Sequence, residues 1–165
     1  MRRRLALCVL LAATAAAPIG GWALASFSLQ GPPRPLVQFG YVRSLAASGT
    51  AYELRFDPAL WLSGRTATRA AIDDGVIEPG DIVPNDYYIR NTDRKRLAYR
   101  VPRGATVTVV TLGPKSTRIP VAELAAIVKG RNPKGRKLMD PGGYLGFWAT
   151  VQVDTVTALH QQYQP

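Results

Sequence analysis

Between Thr50 and Asp57 the chain alternates without a slip. Tyr52, Leu54 and Phe56 fall on one side; Glu53, Arg55 and Asp57 fall on the other. A period of two marks a half-buried strand with one covered and one solvated face, and such strands belong to antiparallel sheets. Other segments extend the pattern. Val37, Phe39, Tyr41 and Leu45 read as the apolar side of a preceding strand. Leu97, Tyr99 and Val101 share a face in a segment expected to form a hairpin with Tyr87–Arg90 across the polar loop 91–96. Thr106–Leu112 is a β-branched strand, and Phe147–Val153 with Val156–Tyr163 reads as a terminal hairpin.

Helical signals are fewer. Asp57-Pro58 reads as an N-cap followed by Pro at the first helical position, opening a short turn through Trp61 and Leu62. Ser63–Asp74 reads as a short helix ending at Gly75, with Ala67, Ala70 and Ala71 as its small-residue face. Val121–Lys129 carries an apolar stripe of Val121, Leu124, Ile127 and Val128, with Glu123 near the N-terminus and Gly130 past the end. Glu78–Asp81 and Val83–Asp86 are turn chemistry. The expected order is β-β-α-β-β-β-α-β-β: an α+β domain, mainly antiparallel, whose curled sheet approaches a small barrel with two short helices. An open sheet covered on one side by the helices is the alternative.

The N-terminus reads as an address. Arg2, Arg3 and Arg4 precede an uncharged Leu/Ala/Val run, Leu5–Ala17, and Ala23-Leu24-Ala25 fits a small-x-small cleavage site. Residues 1–25 are therefore expected to be a signal peptide, residues 26–35 a Pro-rich flexible leader, and residues 36–165 one globular domain. The expected location is outside the cell, or on the membrane if the segment stays uncleaved. Cys8, the only cysteine, lies inside the apolar run. The exported chain must then hold its fold by core burial alone, without disulfides.

Charge is unevenly spread. The whole chain carries a net +10. Residues 90–137 hold thirteen basic and two acidic side chains, whereas the flanking segments 26–89 and 138–165 are each net −2. Within the block, Arg94, Lys95 and Arg96 are expected to crown a hairpin, and Lys129, Arg131, Lys134, Arg136 and Lys137 to fill a loop. Cations at such tips suit a polyanion, through counterion release. The expected partner is an anionic cell-wall polymer or a membrane surface. Nucleic acid is less favoured, because no aromatic interleaves these clusters.

Catalytic constellations are sparse. One His and one Cys exclude thiolate zinc sites and sites built on several imidazoles. No G-x-S-x-G turn is present. A ribonuclease-like arrangement of Glu53, Arg55 and His160 is the one acid–base set the sequence offers. Asp73, Asp74, Glu78, Asp81 and Asp86 are close in sequence but lack the spacing of a calcium loop. Asp73 and Asp74 sit at the wrong end of a helix for its dipole, which calls for a partner such as Arg69. No metal or cofactor is expected. Trp61, Trp148, Tyr87, Tyr88 and Tyr163 are candidates for the core or for a ligand groove. The reading is an exported, non-enzymatic binding domain of the cell envelope. A small hydrolase using Glu53 and His160, or a module docking another secreted protein, are the alternatives.

Three stretches taken together carry a resemblance: Leu54–Pro58 leading to Trp61–Gly64; Asp74-Gly75 leading to Pro84–Asn91; and Phe147-Trp148 with the ending Gln162–Pro165. In that order, from about Tyr52 to Pro165, the chain resembles an uncharacterised group of small exported proteins and lipoproteins of Gram-positive bacteria. Asn85-Asp86-Tyr87-Tyr88 is the most specific part. The resemblance implies a domain and a compartment but no reaction. The lipoprotein members carry a Cys after the apolar run, and this sequence does not.

Overall fold

The computed structural model describes residues 33–93, 95–113, 115–140 and 146–164. The signal-peptide reading and most of the Pro-rich leader lie outside the described residues, as does Arg94. Among the described residues no helix is long and apolar enough to cross a membrane.

β1 (Leu36–Ser48) and β2 (Ala51–Pro58) form an antiparallel hairpin. β2 keeps its alternation: Tyr52, Leu54 and Phe56 are buried in the core. β1 does not keep one phase. Its register against β2 shifts between Val42 and Ser44, and a bulge of this kind reverses which side chains face inward. Val42 and Leu45 therefore join the core. Phe39 and Tyr41, expected on the same side as Leu45, instead form ring contacts outside it. Gly40 is dictated by packing, because a Cβ there would lie 2.4 Å from the Asp57 carbonyl oxygen.

β5 (Leu97–Pro102) lies beside β2, β8 (Gly146–Gln152) beside β1, and β9 (Thr155–Gln161) beside β8. The wall closes where Arg100 meets Thr155 and the Arg100 amide donates to the Asp154 carbonyl at 2.9 Å. Counted along the chain, the five barrel strands follow one another round the wall as first, second, third, fifth, fourth. Only the third and fifth run parallel. This is the closed Greek-key arrangement of OB-type barrels, a topology that by itself assigns no ligand.

β6 (Thr106–Thr111) continues the line of β5 and runs parallel to β9, and β7 (Lys115–Ile119) adds an outer strand beside β6. α2 (Val121–Ile127) sends Val121, Leu124 and Ile127 into the barrel core. With Phe56, Phe147, Leu54 and Leu159 fully buried among them, each large apolar side chain adds about 1.5–3 kcal/mol.

An insertion separates β2 from β5. It comprises β3 (Leu60–Ser63), α1 (Gly64–Asp73), a 3-10 turn at Pro84–Asp86 and β4 (Tyr87–Arg90). Three expectations are corrected here. Trp61 and Leu62 are in a strand, not a helical turn, because β3 finds a partner in β4. Tyr87–Arg90 and Leu97–Pro102 do not pair with each other: β4 goes to β3, and β5 goes to β2. β7 was not expected at all. The helices match the expected spans, α1 closing at Gly75 with φ 68° and α2 at Gly130 with φ 73°. The sheet closes into a small barrel and does not remain open.

Candidate functional site

Five carboxylates are matched with arginines. Asp57, on the outward side of β2 but only 6% exposed, accepts from Arg43 Nε at 2.8 Å and from Asn91 Nδ2 at 3.4 Å on the same oxygen, Oδ2. Its Oδ1 is buried without a hydrogen-bond partner among the described residues. Glu53 pairs with Arg55 at 2.7 Å, and Asp73 with Arg69 at 3.0 Å, one helical turn back as expected. Asp74 receives a fork from Arg90, Nε at 2.7 Å and Nη2 at 2.9 Å, and a hydroxyl from Tyr88 at 3.0 Å. The Arg90 guanidinium holds the Asp74 carboxyl below its ordinary range, with Tyr88 adding to the effect. These pairs occupy both misplaced acids at the end of α1.

Glu123 is the fifth. The sequence places it in the first turn of a helix, where a solvated acid would suit the dipole; the structure buries it. Arg136 binds both of its oxygens, and Lys134 Nζ lies 3.6 Å from Oε2. The Arg136 hydrogen bond is the main cause that keeps the Glu123 carboxyl below the usual range, against the opposing effect of burial. Asn132 completes the arrangement, its Nδ2 donating to the Arg136 carbonyl at 2.7 Å and its Oδ1 accepting from the Arg136 amide at 2.9 Å. The loop after α2 is thus built around Arg136, and two of the expected polymer contacts, Lys134 and Arg136, are tied to an internal carboxylate. Beside them lies a cavity of about 690 Å³ lined by Pro120, Ala122, Ala126, Arg131, Pro133 and Lys134.

The other described cations of the 90–137 block have no carboxylate within ion-pair distance among the described residues. Seven of them follow the β5–β6 run and the β7 edge beside it. Lys95 and Arg96 lie on the loop entering β5, Arg100 points outward from β5, and Arg103 sits at the bend into β6. Arg118 stands opposite Thr108 across the β6–β7 pair, and Lys115 opposite Thr111 at its far end. Lys137 adjoins that end through its carbonyl, which accepts from the Leu112 amide at 2.8 Å. Lys129 and Arg131 follow α2. The two expected tips therefore sit at opposite ends of the β5–β6 run, on the order of 30 Å apart along the strand path. Arg100, Arg103, Lys115 and Arg118 were not among the sequence candidates, although the alternation of Leu97–Val101 already places Arg100 on the solvated side.

The acid–base set does not assemble. Glu53 stands opposite Arg100, which stands opposite Thr155, five residues along β9 from His160. Five residues of strand separate the two groups by about 16 Å, too far for one site. Arg55 stays with Glu53. His160 Nδ1 instead shares a 2.9 Å hydrogen bond with Thr108 Oγ1. The hydrolase alternative loses its geometry.

Most of the aromatic candidates join the insertion to the barrel. Trp61 stacks on Tyr87 with centroids 4.4 Å apart, and Phe39 meets both Trp61 and Trp148 edge-on at 5.0 and 5.3 Å. Asn85 and Asp86, both left-handed at φ 56° and 57°, turn the chain so that Tyr87 reaches this cluster and Tyr88 reaches Asp74. Tyr163 stands apart, exposed near the C-terminus.

No family model matches the chain, no curated protein matches it, and no solved structure matches it.

Proposed function

We propose that this is an exported, non-enzymatic domain that binds an anionic polymer of the cell envelope along the β5–β6 line. One observation carries the reading: five of the chain's eleven acids are matched with arginines, three of those arginines outside the basic block, and no ion pair among the described residues engages the side chains of Lys95, Arg96, Arg100, Arg103, Lys115, Arg118 and Lys137, which follow β5 and β6 and the adjoining β7 and loop. Unpaired cations spaced along a rigid element add their fields and exchange condensed counterions for polymer charges at little ordering cost. A line of this length suits a chain-like ligand better than a small one. It suits a polymer better than a planar lipid surface, which a curved wall meets only at a few points.

Retention on immobilised anionic wall polymer tests the reading. Changing Arg96, Arg100 and Arg118 together to Gln is expected to abolish retention at moderate salt, whereas changing Arg65 and Arg69, on α1, leaves it intact. Equal loss in both variants, or binding only to anionic lipid vesicles, refutes it.

A further inference from the structure

The strand register brings four chemically distinct side chains into one row across the outside of the sheet. Trp148 on β8 stands opposite His160 on β9, His160 opposite Thr108 on β6, and Thr108 opposite Arg118 on β7. Each step is one strand spacing, so the row is about 14 Å long. It meets the cationic line at Arg118.

Each member is held. The Trp148 Nε1 donates to Gln162 Oε1 at 2.8 Å, so the indole has no donor left; one side of its ring packs against Phe39 and Trp61, and it offers the part of its ring surface that stays exposed. Thr108 engages His160 Nδ1 and leaves Nε2 for a ligand. Arg118 Nη2 donates to Thr106 Oγ1 at 3.3 Å, which steadies one edge of the guanidinium. Beside the row lie Thr106 and Ala158, themselves opposite one another and both small. His160 and Arg118 are exposed, and Trp148 is half-buried.

We infer that this row is a subsite for an acidic glycan, a run of sugar rings carrying carboxylate or phosphate groups. It rests on the polymer-binding reading above and names the repeating unit of that polymer. An indole ring without a free N–H suits the C–H face of a pyranose. The imidazole beside it and the guanidinium at the far end suit acidic substituents, and the Thr108 hydroxyl between those two suits ring hydroxyls. Single-stranded nucleic acid calls for successive stacking platforms, and the row has one aromatic. A featureless polyanion needs neither the ring nor the imidazole.

Polygalacturonate and long-chain polyphosphate serve as probes, matched in charge concentration, with binding to the full exported chain followed by titration. The wild type is expected to bind polygalacturonate at least 10-fold more tightly than polyphosphate. His160→Gln and Trp148→Phe are expected to lower polygalacturonate affinity 5- to 10-fold each and to leave polyphosphate affinity unchanged; the first keeps a polar side chain of similar reach, the second keeps a ring against Phe39 while giving up the Gln162 hydrogen bond, and circular dichroism and the urea midpoint check their fold. Thr108→Val gives a smaller loss on polygalacturonate alone. Equal loss on both probes, no loss on either, or preference for poly(U) overturns the subsite while leaving the cationic line standing. Failure of the wild type to bind any of the three overturns the polymer reading itself.

Discussion

Arg136→Ala removes the cation that neutralises a buried acid. The Glu123 side chain is 4% exposed and that of Arg136 24%. Deleting one partner of a fully buried pair costs about 3–5 kcal/mol, mostly because the other charge is stranded. Here the guanidinium is partly solvated and Lys134 remains 3.6 Å away, which brings the expected loss to about 2–3 kcal/mol. For a domain of about 130 residues that is a fall of roughly 8–12 °C in Tm. The loss depends on pH. In the wild type the Glu123 carboxyl is held below 4.5, so the pair stabilises the fold fully above that pH and fades as pH falls through the lowered value. Without Arg136, burial raises the carboxyl, which takes up a proton and relieves the stranded charge. Urea unfolding of both proteins at pH 7 and pH 3.5 is the assay. The variant should lose about 2–3 kcal/mol at pH 7 and clearly less at pH 3.5. A loss below about 0.5 kcal/mol at pH 7, the size of an ordinary surface change, or an equal loss at both pH values refutes the assignment.

Gly40→Ala should destabilise by about 3 kcal/mol or prevent folding, since the new methyl meets a carbonyl oxygen 2.4 Å away that cannot move without breaking the β1–β2 pairing; chemical denaturation measures it. Val153→Gly should stabilise by about 1 kcal/mol, because a β-branched residue sits at φ 55° in the exposed β8–β9 turn. An unchanged or lower midpoint in urea refutes that. The wild type itself should lose stability as pH falls below the ordinary carboxyl values of 3.8 for Asp74 and 4.5 for Glu123, because both folded-state values are lowered and protonation removes their arginine contacts. A flat stability profile from pH 5 to pH 3 contradicts this.

Local pattern carried the fold a long way. Alternation placed Tyr52, Leu54 and Phe56 in the core, and small-residue spacing placed Ala67, Ala70 and Ala71 on the buried face of α1. What escaped was non-local. The bulge at Val42/Ser44 sets Phe39 and Tyr41 outside the barrel, and a single sequence does not reveal a register shift. Asp57-Pro58 has the chemistry of a helix start, yet pairing with β1 keeps both residues extended and β4 makes Leu60–Ser63 a strand; tertiary pairing overrode the local signal. In the candidate site, runs of adjacent charges were visible and solitary arginines were not. Arg100 and Arg118 gain their significance from the β5–β6–β7 line, whose course depends on long-range pairing with β9. Glu123 was visible as an acid in a first turn, but nothing near it in sequence foretold Arg136, thirteen residues on, as its partner.

Chemical-shift mapping by NMR, on titrating the labelled domain with an anionic wall polymer, probes the central claim most directly. Backbone amides of Lys95, Arg96, Arg100, Arg103, Lys115 and Arg118 should shift together and in proportion to occupancy, with the shifts collapsing as salt is raised. Amides of α1 should stay in place. Shifts centred on α1 or the β3–β4 pair, or shifts along β5–β6 that salt leaves untouched, would contradict an electrostatic line along that strand path.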